Sequence, residues 1–481
     1  MCACAVPLAP GYKILKESRE IRFTPGDMPE VRLNAHYTLK NSGTTNLEFI
    51  DIDLPDEKIY GRSDLRVEWD GRAATLVSLP EEYHSSASSA LRMAFDSAWK
   101  RGQVGELAVE YGFRSPADIG DRITVGAEDF HLGSRGWSPA LQPPKHFLSP
   151  YPRRPDVTTF TVVTPNGFQA LGGGRLKGRK QSSGGTEYRF ELQRNDLTPS
   201  LLAGRYVTSS SGAKASGIVF WTLEPLKEDP RAAGEKIMTV WKALESDFGP
   251  LDKNIRVPHI VESATLREHV EGEAGPGAAA FPGGVLVNPA LLSLGLDSDT
   301  FQARVTHALA HNWFGDEVYF GRFTALGLGE GLPEYATIVA EEAANGAAGR
   351  RRRVTEYLRD YDDGRNQAEE NPLGVSALSD PPEQRRIALA KAALFFVAVE
   401  DDCGEKPMRD GLRELITLLR GQEVDYDTLR SQLEQSCGKS LAGLFRVWLN
   451  DKGIPPDFRT RYEDPTASAR SEVHTVPNSL N

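Results

Sequence analysis

The sequence is poor in cysteine, in basic charge and in long apolar runs. Only four cysteines occur among 481 residues, Cys2, Cys4, Cys403 and Cys437, and no two form a CxxC pair. That argues against a cysteine-ligated zinc site. Cys403 and Cys437 each precede a glycine and close a helix-like segment. They are either a disulfide, if the compartment oxidises, or two ordinary thiols. Acidic residues outnumber basic ones, 67 against 56, and the net charge of -11 argues against a general nucleic-acid-binding surface. No stretch approaches the roughly 18 apolar residues of a membrane-spanning helix, so none is expected. The opening MCACAVPLAPGY lacks a basic segment and a long apolar run, and as it stands is no signal peptide. A soluble, cytoplasmic protein is expected. The alternative is a trimmed export or lipoprotein signal ending at Cys2 or Cys4, which would make the chain exported or lipid-anchored. There is no GxSxG elbow. The GKS at Gly438–Ser440 lacks the first glycine of a phosphate-binding loop and precedes a helix in a helical region.

What is present is enough for several cores. With 40% hydrophobic and 26% charged residues, this is a globular composition, and the length suggests two or three domains. Residues 1–11 read as a disordered terminus. Residues 12–212 read as β structure: VRLNAHYTLKN, LEFIDIDL, LRVEWDG, GELAVEYGFRS, TTFTVVTP and EYRFELQ alternate apolar and polar residues between Gly, Pro, Asn and Asp breaks. A Pro-rich loop, 133–156, interrupts them, and SSSGAKASG (209–217) is the exit. From 213 the period changes, with a mixed α/β stretch to about 315 and nearly all helix beyond 385. Residues 459–481 read as a disordered tail. The basic run Arg350–Arg353 reads as a solvated helix face.

One pattern carries chemistry. His307 and His311 lie four apart in a helical segment, which puts both imidazoles on one face, one turn apart. Two such nitrogens can share a metal, and Glu330 on the next helical segment can supply a third donor. Two His and one Glu leave a position open, the layout of a catalytic zinc site.

The context sharpens this. His-x-x-x-His runs into Asn312-Trp313-Phe314-Gly315, and Glu-Gly-x-x-Glu-Tyr begins nineteen positions after His311. This resembles the alanyl aminopeptidase and leukotriene-hydrolase family of gluzincin zinc metallopeptidases, which carries HELAHQWFG and NEGFAEY. Phe445, Trp448 and Gly453-Ile454-Pro455 resemble the family's close of the helical lobe, and the Gly-Trp-x-Pro stretch resembles a loop of its first domain. The likeness spans about 12–458, without the large C-terminal helical domain of many members. It implies an α+β fold, an N-terminal antiparallel β saddle or sandwich domain followed by a thermolysin-like, mostly helical zinc-peptidase domain over 213–458. It also implies one Zn2+ per chain on His307, His311 and Glu330, with Glu334 and Asn312 as supporting or cleft residues, and a peptide or protein ligand in the cleft. The oligomeric state stays open.

Three positions depart from the family. Its general-base glutamate, which takes a proton from the attacking water and returns it to the leaving amine, is here Ala308. Ala280, in Gly277-Ala278-Ala279-Ala280-Phe281, stands where the family's glutamate grips the substrate amine; Glu271 or Glu273 is the alternative anchor. Leu389, in Leu389-Ala390-Lys391-Ala392-Ala393, stands on the position of the tyrosine that stabilises the oxyanion. Three losses at separate motifs imply a catalytically degenerate member. The alternatives are an active metallopeptidase with rewired groups, an engineered Glu-to-Ala variant, and a structural relative without metal.

Overall fold

In the computed structural model, residues 11–80, 88–114, 123–133, 137–142, 155, 157–172, 174–192, 200–212, 217–251, 258–264, 266, 277–321 and 324–463 are described. Residues 1–10 and 464–481 of the expected disordered ends, most of the Pro-rich loop, Glu271 and Glu273 lie outside them; the start of the expected tail is instead ordered, because a helix runs Pro456–Tyr462 and its Arg459 pairs with Asp362. The architecture is α+β, strands first and helices after. The chain divides into two compact units, one of 1–232, 254–269 and 273–301, the other of 233–253, 270–272 and 302–481.

The first unit is built on sheets. The largest has eight strands in the order 175–182, 185–192, 158–164, 13–24, 30–40, 104–114, 62–69, 72–73, all antiparallel except for the pairing of 13–24 with 158–164. Alternation in Glu30–Lys40 explains its face: Val31, Leu33, Ala35, Tyr37 and Leu39 are buried while their neighbours reach solvent. Trp137, from the family-like loop, is fully buried, and its carbonyl accepts from the Tyr111 hydroxyl at 2.8 Å. Two four-stranded sheets and a five-stranded one complete the unit. The last runs 207–210, 219–222, 259–262, 284–287, 278–281, so Ala278–Phe281 is its edge. Pro282 and Gly283 (φ 90°) make the tight turn between its last two strands, and a side chain on Gly284 would meet the His259 carbonyl at 2.4 Å.

Ten helices are described: α1 (Glu57–Tyr60), α2 (Arg231–Phe248), α3 (Pro289–Ser293), α4 (Asp299–Ala310), α5 (Gly331–Arg365), α6 (Pro382–Cys403), α7 (Glu405–Leu418), α8 (Tyr426–Cys437), α9 (Ala442–Asn450) and α10 (Pro456–Tyr462). Among the described residues no helix is long and apolar enough to cross a membrane. In the second unit, α5 is a hairpin rather than a rod. Gly346 (φ 64°, ψ -162°) breaks it. Glu341 and Arg352 form an ion pair, although eleven residues of straight helix would set them about 16 Å apart.

This fold-back corrects the expectation for the arginine run. Arg351 and Arg352 are exposed, but Arg350 turns inward to Glu400 and Glu342, and Arg353 to Glu356 and Tyr357. Glu400 also accepts from Tyr335 Oη at 2.8 Å and Arg409 Nε at 3.1 Å, which ties α5, α6 and α7 together. Cys403 and Cys437, Cα atoms 5.2 Å apart, are joined as a disulfide between the ends of α6 and α8.

Candidate metal centre

The end of α4 is anchored by its own motif. Trp313 Nε1 donates to the Gly249 carbonyl at 2.7 Å, its ring lies 5.1 Å from Trp241, and Phe314 packs edge-on against Phe248. These apolar contacts clamp the chain just past the helix onto α2. The helix itself stops at Ala310, so His311 sits one residue beyond it. There Asn312 N and Trp313 N donate to carbonyls three residues back. Asn312 is buried, and its side-chain amide donates to the Leu309 carbonyl at 3.1 Å, which supports the turn. Gly315 (φ 155°) closes the turn against the His311 carbonyl and ring, where a Cβ would meet them at 3.1 and 3.5 Å.

Glu330 is delivered by a different device. Ala325–Glu330 forms a turn of π-helix, in which Gly329 N reaches the Thr324 carbonyl five residues back at 3.2 Å. Such turns are frequent at functional sites. Two glycines allow it. A Cβ on Gly327 would lie 1.8 Å from the Tyr426 hydroxyl, and one on Gly331 would lie 2.7 Å from the Ala392 Cβ and 3.1 Å from Phe396. Small residues there let the turn and the start of α5 press against α8 and α6.

The three donors converge. His307 Nε2 and His311 Nε2 are 3.0 Å apart, and Glu330 Oε2 lies 3.2 and 3.4 Å from them. All three donor atoms fall within 4.8 Å of one another, the one such group among the described residues. The outer ring nitrogens face acceptors. His311 Nδ1 is 3.1 Å from the Phe314 carbonyl, which only accepts, so Nδ1 carries the proton. His307 Nδ1 lies 3.3 Å from Glu334 Oε1, an ion-pair contact rather than an aligned hydrogen bond. Both Nε2 atoms face a common point, as zinc ligation needs. The side chains of His307, His311 and Glu330 remain 22%, 22% and 29% exposed, leaving room for a further ligand.

Charge in the site matches. Burial works against a charged His307, but the Glu334 and Glu330 carboxylates outweigh it and hold the imidazole up at about 10. Burial likewise opposes ionised Glu330 and Glu334, yet the facing imidazoles keep both below the usual carboxylate range, Glu334 at about 2. Without metal, such a site carries a proton where a cation belongs. The donor set of two imidazoles and one carboxylate fits zinc.

Of the positions singled out in the sequence, His307, His311, Glu330 and Glu334 come together. Ala308 follows His307 and is 1% exposed. Ala280 lies in the first unit, on the half-buried edge strand, paired with Val285. Leu389 is half-buried on α6, one turn before the Ala392 that abuts Gly331.

Residues 281–448 match the model of the peptidase family M1 domain. The chain carries an M1 domain. Its match begins at Phe281, the last residue of the edge strand, and ends at Trp448, so it contains all three donors and both M1-like signatures around them. None of the curated proteins matches the chain. Among solved structures it is similar to an M1 zinc metallopeptidase from Deinococcus radiodurans, at 16% identity over 94% of this chain and 97% of that one, with a TM-score of 0.65. It is similar also to a glutamate-to-alanine mutant of that enzyme, at 16% identity over 93% and 97%, TM-score 0.66. A third such structure is that kind of mutant bound to the substrate Tyr-Ser-Ala, at 17% identity over 93% and 96%, TM-score 0.65. At this identity the likeness establishes the two-part M1 fold.

Motif reading missed the layer behind Glu334. Tyr357 donates to Glu334 Oε2, and Arg353 lies against Tyr357. A glycine in mid-helix at 346, followed by Arg and Tyr four apart, is the one sequence signal that pointed there.

Proposed function

We propose that this protein holds zinc through His307, His311 and Glu330, hydrolyses peptides weakly or not at all, and binds a peptide or protein partner at the metal. One observation carries this. The residue after the first histidine is Ala308, and the two carboxylates that touch the imidazoles are both committed. Glu330 is a donor to the cation, and Glu334 is shared between His307 Nδ1 and Tyr357. Neither is free to shuttle a proton between water and a leaving amine.

When bound, zinc supplies a Lewis acid that polarises a carbonyl and makes water a stronger acid. The chain orients that ion and stabilises its charge, but a methyl group cannot accept a proton. Loss of positioned acid–base catalysis costs roughly 10²–10⁴ in rate. Leu389 in place of a hydroxyl donor removes roughly another 10²–10³ if it acts alone, and such losses do not simply multiply. Ala280 offers no charge to grip a terminal amine, which favours recognition of a peptide along its backbone. The mutant M1 structure holding Tyr-Ser-Ala supports a separation of peptide binding from hydrolysis.

Purified protein should contain zinc at about one ion per chain and show no chelator-sensitive turnover of aminoacyl fluorogenic substrates or of a peptide library. Ala308→Glu should raise turnover if the remaining site is intact. Chelator-sensitive hydrolysis by the unmodified chain, well above background, would overturn the proposal.

A further inference from the structure

The support of His307 extends beyond the M1 signature into the returning arm of α5. Tyr357 lies 23 residues after Glu334, a separation of about 34 Å along a straight helix. Because the chain turns back at Gly346, the Tyr357 hydroxyl instead donates to Glu334 Oε2. Thr337 Oγ1 is 3.0 Å from that hydroxyl and donates to the Glu334 carbonyl at 2.7 Å. Arg353 Nη2 donates to the hydroxyl at 3.2 Å, and its guanidinium lies 4.8 Å from the centre of the Tyr357 ring. Tyr357 is 6% exposed.

The geometry has a direction. A glutamate side chain has three rotatable bonds, and one contact does not fix the plane of its carboxylate. With Tyr357 holding Oε2 and Thr337 holding the backbone, Oε1 is kept 3.3 Å from His307 Nδ1. A carboxylate on that side would favour the proton on Nδ1 and leave Nε2 to a bound cation. Arg353 strengthens the hold, since a cation donating to the hydroxyl oxygen makes its proton a better donor. We infer that Tyr357, backed by Arg353, is a positioning residue of the metal site, acting on His307 through Glu334. This rests on the zinc reading above.

The test uses the full chain and zinc itself. The affinity of Tyr357→Phe for zinc is measured by competition with a chelating chromophore, beside the d–d spectrum of the Co2+-loaded protein and the melting temperature of the metal-free protein. Removing the one hydroxyl should weaken zinc about 10–100-fold and alter the Co2+ spectrum, as loss of outer support does at other metal sites, with metal-free melting little changed. Glu334→Gln, which turns an amide toward one of its two donors, should do at least as much. If Tyr357→Phe does not fold, Arg353→Met carries the test, with an expected loss of about 3–10-fold. The inference is overturned by a Tyr357→Phe protein whose zinc affinity stays within twofold with an unchanged spectrum. It is also overturned by affinity that falls only together with metal-free stability. Absence of zinc uptake by the unmodified chain would overturn the zinc reading as well, so the two failures are distinguishable.

Discussion

Lys391 offers the sharpest test of how the helical unit is held together. It is 0% exposed, and Nζ donates to Glu370 Oε1 at 2.7 Å and to the Asp451 carbonyl at 2.6 Å. Glu370, 2% exposed, also accepts from Tyr361 Oη at 2.6 Å and from Gly453 N at 2.8 Å. Four segments meet there: the end of α5, the loop after it, α6, and the turn after α9. Lys391→Met preserves the stem and removes the charge. Glu370 is then a buried carboxylate with two neutral donors, and Arg365 Nε at 3.7 Å is half-exposed. Removing one partner of a buried pair costs about 3–5 kcal/mol. For a unit of this size, each kcal/mol moves the melting point by about 2–4 °C, so a fall of roughly 6–20 °C is expected by calorimetry. Glu370→Gln added to Lys391→Met removes the stranded charge and should recover a large part of the loss. A single Lys391→Met variant less than 1 °C below the parent, or a double variant worse than the single, would refute the argument.

Reduction of the Cys403–Cys437 bond, which closes a 34-residue separation, should lower stability by about 3–4 kcal/mol on the loop-entropy model. The check is thiol alkylation in denaturant without reductant, and labelling of both cysteines would show the bond is not formed. Burial pulls His131 down to about 3, and the residue is 2% exposed. Below pH 6.5 the unfolded chain takes up a proton that the folded chain refuses. The stability lost between neutrality and pH 5 is therefore about 2 kcal/mol, and the loss continues until the folded group titrates near 3. Denaturant unfolding of the parent and of His131→Gln at pH 7 and pH 5 should show a shallower pH dependence in the variant, and equal slopes would count against the burial argument.

Much of this was legible in the residues. Alternation in Glu30–Lys40 and Thr158–Thr164 exposes the strands because one face must be buried, and a period of two has one solution. His307, His311 and Glu330 are legible because spacing along a helix converts directly to geometry. The substitution at Ala308 is visible for the same reason. What escaped depends on contacts far apart in sequence. The arginine run reads as solvated until Gly346 folds Arg350 and Arg353 inward. Lys391 looks like a marker beside Leu389, yet its role lies with Glu370 and Asp451, set by how α6 meets the turn after α9. The π-turn before Glu330 is invisible to periodicity, because it follows from how closely Tyr426 and Ala392 approach two glycines.

The hairpin of α5 makes the length of its second arm a constraint in its own right. Eleven steps separate Gly346 from Tyr357, and each residue of helix turns a side chain by about 100° and advances it about 1.5 Å. One residue inserted or deleted within that arm would swing the hydroxyl out of reach of Glu334, although no residue near the metal had changed. At the tip, where a side chain on Gly346 would meet nothing within 4 Å, the same indel is absorbed by solvent-facing backbone. The arm therefore works as a measuring rod: its exposed positions are free to drift, but its count is not.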